Sequence, residues 1–419
     1  MMNPARSCML FLMLYAGSAN AQYKQLPKIP SKVYNVNEYG AVADNKTLNT
    51  LVIQKVLDLA KVSGGKVVLP AGEYLCGPLN LYSRTELEIS KGATLRLINN
   101  IDSFPVTNGR YLNFINVAKA SDIRISGGGT IDGQGEPWWK ATTAKTLTLR
   151  RPQMLFIEGS QRIEISGVTF LNPPNTHISL KNNSDVYIHN IVIQAPERSR
   201  NTDGINISAR DCTIEKCTIN TGDDNIAINF GNRKQTDDDP EVKNMVIRDC
   251  TFGVGHGLSI GSYTSGNLNG LQVSNCTFDG TTSAIRIKTA RGRGGILENI
   301  SYENISIKNA RYPIFISAYY PHEPKTPQED INASIGEYNP VYKNISLKNI
   351  TVTNSQEGLI LWGIPESPIQ KIRFENVKMS SAKGTRIYNV ADAEFINSTL
   401  KFNAGERIDV YHSRVTGLN

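Results

Sequence analysis

The sequence predicts an all-β protein that folds as a single-stranded, right-handed parallel β-helix with an N-terminal capping helix. From Leu87 onward the chain repeats a unit with apolar residues at positions i, i+2, i+5 and i+7, and the first members of the clearest units are residues 163, 186, 212, 245, 271, 300, 345 and 372. Alternation with period two indicates strands with one buried face. Recurrence every 23 to 45 residues indicates stacked coils, the longer intervals being turns with inserted loops.

Asparagine recurs at the bend between the two apolar pairs of the unit, and this is the second observation behind the fold. The positions are Asn190, Asn275, Asn304, Asn349 and Asn376. Asparagine suits a corner that needs unusual backbone angles or a side chain bonded to the backbone. A β-sandwich would also contain many short strands, but it requires antiparallel hairpins with tight turns, and the repeat argues against it.

The segment before the repeats predicts a helix and then two short strands. Leu48, Leu51, Val52, Val56, Leu59 and Val62 follow helical spacing up to Gly64. Strands are expected at 66–70 and 72–75. A helix in this place would cover the exposed end of the core, as the terminal cap of a repeat fold must. Because the repeat continues to about Phe402, residues 22–419 are expected to form one β-helix domain.

The first 21 residues resemble a secretory signal peptide. Arg6 precedes an apolar run, and Ala19-Asn20-Ala21 provides a small-residue cleavage site. The run is too short to span a membrane, so no membrane anchor is expected. Removal of this segment deletes one positive charge and lowers the formal net charge from +7 to about +6. We therefore expect a secreted or periplasmic protein that is still basic.

Five cysteines follow the signal segment, in no metal-like spacing. Cys217, Cys250 and Cys276 occupy one apolar position of three successive repeats, which predicts a stack of buried thiols in the core. A disulfide between neighbours is the alternative.

Four short polar signatures lie between residues 201 and 288. They are Asn201-Thr202-Asp203-Gly204, Gly222-Asp223-Asp224, Gly255-His256-Gly257 and Arg286-Ile287-Lys288. Asp203, Asp224, His256 and Ser283 each stand two residues before an apolar pair of period two. The same offset in successive coils predicts one column, with neighbours roughly 4.7 to 4.9 Å apart. Arg286 and Lys288 alternate with buried residues and should point outward one coil beyond His256.

These four signatures, in this order, resemble those of the polygalacturonase family, glycoside hydrolase family 28. The segment Gly127-Gly128-Gly129-Thr130-Ile131-Asp132-Gly133-Gln134-Gly135 with Trp138-Trp139 is also typical of that family, so the resemblance covers most of the chain after residue 21. One departure is Asn225, where members often carry Cys, and we expect it to be structural.

The resemblance implies hydrolysis of α-1,4-galacturonosyl bonds in polygalacturonate or pectin by an inverting single displacement. It implies that Asp223 is the general acid and that Asp203 and Asp224 hold the attacking water, because one carboxyl must be protonated and another ionised. His256 would tune the acid, and Gly222 would permit the turn that brings both aspartates of its signature to one cleft.

The expected substrate-binding residues are Asn201, Arg286, Lys288 and Tyr320, with Tyr319 as the alternative to Tyr320. Arginine offers a carboxylate two parallel hydrogen bonds and lysine a point charge, so the pair suits an acidic polysaccharide. Neither a cofactor nor a metal is expected, nor a nucleic-acid partner, and we expect a monomer. The acidic run Asp237–Asp239 lacks the spaced oxygens of a calcium loop and is interpreted as solvated.

Three alternatives stay open on the sequence alone. A related rhamnogalacturonan or xylogalacturonan hydrolase would share the motifs, although the basic pair argues against the rhamnogalacturonan type. A non-catalytic carbohydrate-binding β-helix or adhesin would share only the repeat, and a calcium-dependent pectate lyase only the architecture. Endo or exo action depends on whether the loops at 232–243 and 319–337 close the cleft.

Overall fold

A computed structural model describes residues 25–231 and 241–418 of the chain. The predicted signal segment, residues 1–21, lies outside the described residues. So does most of the loop predicted at 232–243, including Asp237–Asp239. No helix within the described residues is long and apolar enough to cross a membrane.

The described residues form two α-helices, two short 3-10 helices and 36 strands. The helices are α1 (Thr50–Ser63) and α2 (Glu136–Thr143), and the 3-10 turns are Val36–Tyr39 and Pro327–Glu329. The first twelve strands are β1 (Val33–Asn35), β2 (Asp44–Leu48), β3 (Gly65–Leu69), β4 (Gly72–Cys76), β5 (Leu79–Asn80), β6 (Thr85–Ile89), β7 (Ala93–Leu97), β8 (Val106–Thr107), β9 (Arg110–Tyr111), β10 (Ile115–Ala118), β11 (Ser121–Gly127) and β12 (Thr130–Asp132).

The next twelve strands are β13 (Leu155–Glu158), β14 (Gln161–Ser166), β15 (Thr169–Leu171), β16 (Ile178–His189), β17 (Val192–Gln194), β18 (Ile205–Glu215), β19 (Thr218–Asn220), β20 (Ile226–Ile228), β21 (Val242–Arg248), β22 (Thr251–Phe252), β23 (Leu258–Ile260) and β24 (Leu268–Asp279). The last twelve are β25 (Ser283–Lys288), β26 (Ile296–Lys308), β27 (Tyr312–Ser317), β28 (Val341–Ser355), β29 (Ile360–Trp362), β30 (Gln370–Glu375), β31 (Lys378–Ser381), β32 (Thr385–Tyr388), β33 (Ala393–Ile396), β34 (Thr399–Lys401), β35 (Ile408–Tyr411) and β36 (Val415–Thr416).

All strands except the small antiparallel pair β8–β9 join one parallel ladder that coils into three faces. Sheet 1 contains β1, β3, β6, β11, β14, β16, β18, β21, β24, β26, β28, β30, β33 and β36. Sheet 2 contains β2, β4, β7, β12, β15, β17, β19, β22, β24, β26, β28, β31 and β34. Sheet 3 contains β5, β10, β13, β16, β18, β20, β23, β25, β27, β29, β32 and β35. Long strands bend from one sheet into the next, which confirms the predicted parallel β-helix.

The predicted repeat register is confirmed strand by strand. Ile163 pairs with Val186, and the ladder continues through residues 212, 245, 271, 300, 345 and 372. All eight of these side chains are at most 2 % exposed. The period-two pattern was therefore sufficient to set the register, because a shift of one residue would turn every apolar side chain outward. Strands continue past Phe402 to Thr416.

The corner asparagines have the unusual backbone predicted for them. All five adopt a left-handed conformation, with φ between 52° and 57°. Their side chains also form a ladder: Asn304 donates to Asn275 at 3.1 Å, Asn349 donates to Asn304 at 3.0 Å, and Asn376 donates to Asn349 at 3.1 Å.

Helix α1 is confirmed as an element, but the apolar face predicted for it is rotated from the observed one. Its buried residues are Ile53, Val56, Leu57 and Ala60, whereas Leu51 is 84 % exposed and Val62 is 80 % exposed. The observed set follows the spacing i, i+3, i+4 and i+7 and packs on the first coils through β3, β5 and β6. The predicted set shares Val56 with it but omits Ile53, Leu57 and Ala60, because apolar residues occur all round this helix and more than one stripe has helical spacing.

The cysteine stack is also observed. Cys217, Cys250 and Cys276 follow one another in register between β19, β22 and β24, and all three are buried and free. Cys250 donates to the carbonyl of Arg248 at 3.2 Å. The thiols therefore fill core space, as predicted.

Candidate active site

The four signatures meet where sheet 2 turns into sheet 3. The strands that follow them are aligned, since Ile205 pairs with Ile226, Ile226 with Leu258, and Leu258 with Ile285. Backbone hydrogen bonds tie the preceding turns together, from His256 N to Asp223 O at 2.9 Å and from Gly204 N to Asp224 O at 3.0 Å. The predicted column is therefore present.

The glycines of these turns are required by crowding. A Cβ atom on Gly222 would lie 2.1 Å from the carbonyl oxygen of Ser199, and one on Gly257 would lie 2.0 Å from that of Ser283. Gly257 also has a φ of +70°, whereas Gly222 needs no left-handed backbone. Gly222 thus lets two turns approach each other, a different reason from the tight bend expected of it.

Asp223 is held from three sides. Asn201 Nδ2 donates to Oδ2 at 3.0 Å, the backbone N–H of Asp224 donates to Oδ1 at 2.9 Å, and His256 Nδ1 lies 3.2 Å from Oδ1. Burial would raise the pKa of Asp223, but the hydrogen bond and positive charge of His256 outweigh it and lower the pKa to about 2. This low pKa therefore depends on a protonated His256.

Asp224 is buried and is the anchor of both predicted cations. Lys288 Nζ lies 2.8 Å from Oδ2, Ser259 Oγ donates to Oδ1 at 2.7 Å, and Arg286 lies 3.4 Å from Oδ1. The side chains of Arg286 and Lys288 are 17 % and 7 % exposed. They are not a solvated face. Lys288 is paired with Asp224, whereas within residues 25–231 and 241–418 the guanidinium of Arg286 makes no hydrogen bond other than the one to Asp224, so its outer edge is open.

Asp203 lies at the third corner of the cluster and is half-buried. Asn206 Nδ2 donates to its Oδ2 at 3.4 Å. Burial, together with the negative charges of Asp223 and Asp224, raises the pKa of Asp203 well above its usual range. The carboxyl cluster therefore favours its proton on Asp203, while the contacts of Asp223 favour its ionised form.

The two neighbouring tyrosines separate in the structure. The ring of Tyr320 faces the cations, with its centroid 5.2 Å from Lys288 Nζ and 5.6 Å from the guanidinium carbon of Arg286. Tyr319 turns away, packs edge-on against Trp362 with ring centroids 5.8 Å apart, and donates to Asp330. Tyr320 is thus the tyrosine that lies beside the site.

Several supporting residues escaped the sequence analysis. Arg151 is buried and donates to Arg200 O at 2.8 Å and to Asn201 Oδ1 at 3.3 Å, which orients the amide that holds Asp223. Nothing in the local sequence distinguishes this arginine from other basic residues. Ser259 could have been predicted from the repeat, because it occupies the same register position as Arg286 in the preceding strand.

Asn225 is structural, as expected, and its hydrogen bonds show how. It is fully buried, donates to Ile219 O and Val254 O at 3.0 Å each, and accepts from Gly257 N at 2.7 Å. One side chain thus joins the turn that carries Asp224 to the turn that carries His256.

A metal ion would find some ligand atoms in this cluster, but one cation is already in place. Ligand atoms of Asp223, Asp224 and His256 lie within 4.8 Å of one another. The ammonium of Lys288 neutralises Asp224 at 2.8 Å, and the chemistry of hydrolysis needs only the carboxyls and water.

Three carboxyls with different environments on one face of a parallel β-helix define a glycoside hydrolase site, since one carboxyl can hold a proton while another stays ionised. The sequence model of glycosyl hydrolases family 28 matches residues 61–395 of the chain. The chain therefore belongs to that family.

Named relatives agree with this family. The chain is 33 % identical over 389 residues to an endo-polygalacturonase of Pectobacterium carotovorum subsp. carotovorum, covering 87 % of this chain and 90 % of the relative. A polygalacturonase of Juniperus ashei is 31 % identical, covering 84 % of this chain and 69 % of the relative.

Solved structures show the same architecture. The polygalacturonase from Erwinia carotovora ssp. carotovora superposes with a TM-score of 0.72 at 28 % identity, covering 95 % of this chain and all of that one. An exopolygalacturonase from Thermotoga maritima gives a TM-score of 0.77 at 23 % identity, covering 90 % and 94 %, and supports the fold alone. A surface adhesin of Streptococcus pneumoniae has the same fold at 16 % identity and a TM-score of 0.61, covering 92 % of this chain and 99 % of that one, so the fold by itself does not define activity.

Proposed function

We propose that the protein hydrolyses α-1,4-galacturonosyl bonds of polygalacturonate or pectin by an inverting single displacement. Three lines support this: membership of glycosyl hydrolases family 28, relatives named polygalacturonase, and a carboxyl cluster flanked by an arginine with an open edge. The observation that carries the proposal is that cluster, because its three aspartates differ in partners and in charge.

In this proposal Asp223 protonates the leaving oxygen, and Asp203 with Asp224 positions and activates the water. The cluster favours the proton on Asp203, so catalysis requires its transfer to Asp223. The hydrogen bond and charge of His256 favour the ionised form of Asp223. His256 thus influences which aspartate holds the proton, which is a tuning role and not that of a nucleophile.

The remaining site residues are assigned to binding and support. Arg286 binds a uronate carboxylate through its open edge, beside Tyr320. Lys288 forms an ion pair with Asp224 at 2.8 Å, and Asn201 orients Asp223 through a hydrogen bond of 3.0 Å. Lys288 thus acts on substrate through Asp224 and not as an independent carboxylate ligand.

We also propose that residues 1–21 are a signal peptide, that residues 22–419 form one catalytic domain, and that a monomer acts outside the cytoplasm. A soluble hydrolase of a polymer too large to enter a cell needs this location. Endo and exo action are both represented among the relatives, by an endo-polygalacturonase of Pectobacterium and an exopolygalacturonase of Zea mays.

The test is the release of new reducing ends from polygalacturonate, with the anomeric configuration of the first product followed by proton NMR. The proposal expects reducing ends, inverted configuration and no unsaturated uronide absorbing in the ultraviolet. Asp223→Asn is the matched control and should lower turnover by roughly 10²- to 10⁴-fold with unchanged folding. Activity on a rhamnogalacturonan or xylogalacturonan but not on polygalacturonate would favour the related hydrolases, and absence of any hydrolysis would favour a binding protein.

A further inference from the structure

A second pocket lies on the far side of Arg286 from the carboxyl cluster. It has a volume of about 240 Å³, and its walls include Arg286, Tyr312, Phe315, Tyr320, Glu323 and Arg386. These residues come from successive strands of sheet 3 and from the segment that follows Tyr319. The pocket therefore runs across the strands and continues the candidate active site.

The strand register fixes the distance along this pocket. Arg286 pairs with Phe315, Phe315 with Ile360, and Ile360 with Arg386. Three strand spacings separate the two arginines, which is roughly 14 Å between backbones. A pyranose unit is about as long as one strand spacing, so a polymer lying across the strands would pass Arg386 about three units beyond Arg286.

The guanidinium of Arg386 lies in this pocket and has no close ion-pair partner among the described residues. Its side chain is 34 % exposed, and its closest acidic atom is Glu323 Oε2, 3.9 Å from NH1. Within residues 25–231 and 241–418 its guanidinium makes no hydrogen bond. Arginine is the side chain best suited to two parallel hydrogen bonds with a carboxylate, and the fork of Arg386 is free to make them.

One oxygen of Glu323 is also unsatisfied. Its Oε1 is buried and has no hydrogen-bond partner among the described residues. Burial raises the pKa of Glu323, and the charge of Arg386 and a hydrogen bond with Ser317 oppose that rise without cancelling it. A carboxyl group of the chain itself thus lies beside Arg386 at 3.9 Å, too far for a hydrogen bond between the two side chains.

We propose that this pocket is a second carboxylate subsite, in which Arg386 binds a uronate unit about three sugars beyond the unit beside Arg286. Tyr312 and Phe315 supply an apolar wall for the C–H face of the intervening sugars, and they pack edge-on with ring centroids 5.7 Å apart. The carboxylate of Glu323 occupies the position next to Arg386 and is displaced by the carboxylate of the substrate. The inference rests on the proposed function and adds a length requirement to it.

The experiment compares wild type and Arg386→Ala on oligogalacturonates of two to six units. Above a threshold length, kcat/KM of the variant should fall about tenfold below wild type, the worth of one charge-assisted hydrogen bond, and below that length the two should agree. Arg373→Ala is the matched control, since Arg373 lies on sheet 1, is 51 % exposed and pairs with Glu375 and Glu394. Glu323→Gln should lower KM for the longer oligomers by roughly twofold, because it removes a competing charge.

The outcomes separate this inference from the proposed function. If wild type hydrolyses polygalacturonate but Arg386→Ala equals wild type at every length, the subsite is refuted while the function stands. A loss that is equal at every length would assign Arg386 to the fold or to the first subsite and would also refute it. On methyl-esterified oligomers the difference between wild type and Arg386→Ala should disappear, and its persistence there would exclude carboxylate recognition.

Discussion

At the scale of single residues, the three aspartates are chemically alike in sequence and different in the fold. Asp224 is neutralised by Lys288 at 2.8 Å, Asp223 faces His256 at 3.2 Å, and Asp203 has only a weak amide contact. Like charges close together make one carboxyl hold a proton, and the partners decide which one. The sequence could predict that the three meet, but not this division, because it depends on which side chain of the next coil touches which oxygen.

Substitution of Asp203 tests whether this residue holds the proton of the cluster, and its effects on stability and on activity can be measured separately. An acid whose pKa is raised in the folded state is fully stabilising only below its unfolded pKa, about 3.9, and that contribution is lost as pH rises through the folded pKa. Asp203→Asn should therefore raise the melting temperature at pH 7 relative to wild type, and the gain should vanish near pH 3. Turnover should fall roughly 10²- to 10⁴-fold.

Thermal unfolding monitored by circular dichroism at pH 3 and pH 7 checks the stability half of this prediction. Asp102→Asn, on an exposed loop, serves as the control and should change the melting temperature little at either pH. A lower melting temperature of Asp203→Asn at pH 7 would mean that the Asp203 carboxylate is favourably held in the fold.

Substitutions of Arg286 and Lys288 should have different effects on polygalacturonate and on its methyl ester. Arg286→Ala should lower kcat/KM on polygalacturonate by roughly 10- to 100-fold, and the loss should shrink on the methyl ester, which has no carboxylate to bind. Lys288→Met leaves the buried Asp224 short of one partner, so its loss should be similar on both substrates. Steady-state kinetics on both polymers measures this. If Lys288→Met lowers kcat/KM on polygalacturonate but not on the methyl ester, Lys288 binds the substrate carboxylate directly.

At the scale of elements, prediction succeeded where periodicity alone sets the structure. The strand register followed from alternation, and the corners followed from asparagine. Helix α1 was placed correctly, but its buried face was misjudged because the helix carries apolar residues on several sides, and Leu51 and Ile53 both fit a stripe of helical spacing. Two of the three hydrogen bonds of Asn225, to Val254 O and from Gly257 N, form only when its turn stacks on the turn of the next coil, so these partners could not be predicted from sequence.

The asparagine ladder offers a test at this scale. Asn304 has a φ of 57°, accepts from Asn349 and donates to Asn275. Asn304→Gly keeps the left-handed backbone accessible and removes only the ladder bonds, which should lower the free energy of unfolding by about 1 kcal/mol. Asn304→Ala adds the cost of a left-handed residue with a Cβ, roughly 1 to 2 kcal/mol more. Urea unfolding of the three proteins tests the order wild type, Gly, Ala; equal stability of Gly and wild type would show that the ladder bonds contribute nothing.

At the scale of the whole molecule, the β-helix places residues that are one coil apart in sequence at neighbouring positions along one cleft. Each coil advances by one strand spacing, so side chains from Asn201 to Arg386 form one continuous line on sheet 3 and its entry turns. Residues 61–395 match the family, and this interval holds the whole line. The architecture is shared with a bacterial adhesin, so the fold alone does not account for activity, and the proposed function depends on the side chains on this line.

The charge of this line predicts how the protein responds to salt. The formal net charge is +7, or about +6 without residues 1–21, and four of the positive side chains, Arg151, Arg286, Lys288 and Arg386, lie on this line beside a carboxyl cluster in which Asp203 favours its proton. A polyanion is attracted over distances comparable to the Debye length, which falls from about 30 Å at 0.01 M to about 8 Å at 0.15 M salt. KM for polygalacturonate should therefore rise several-fold between these ionic strengths, while kcat changes little because the buried Asp224–Lys288 pair is shielded from salt. Initial rates on the methyl-esterified polymer are the control, and there KM should be nearly constant. A KM for polygalacturonate that does not change with salt would show that short-range contacts, and not the field of the cleft, capture the substrate.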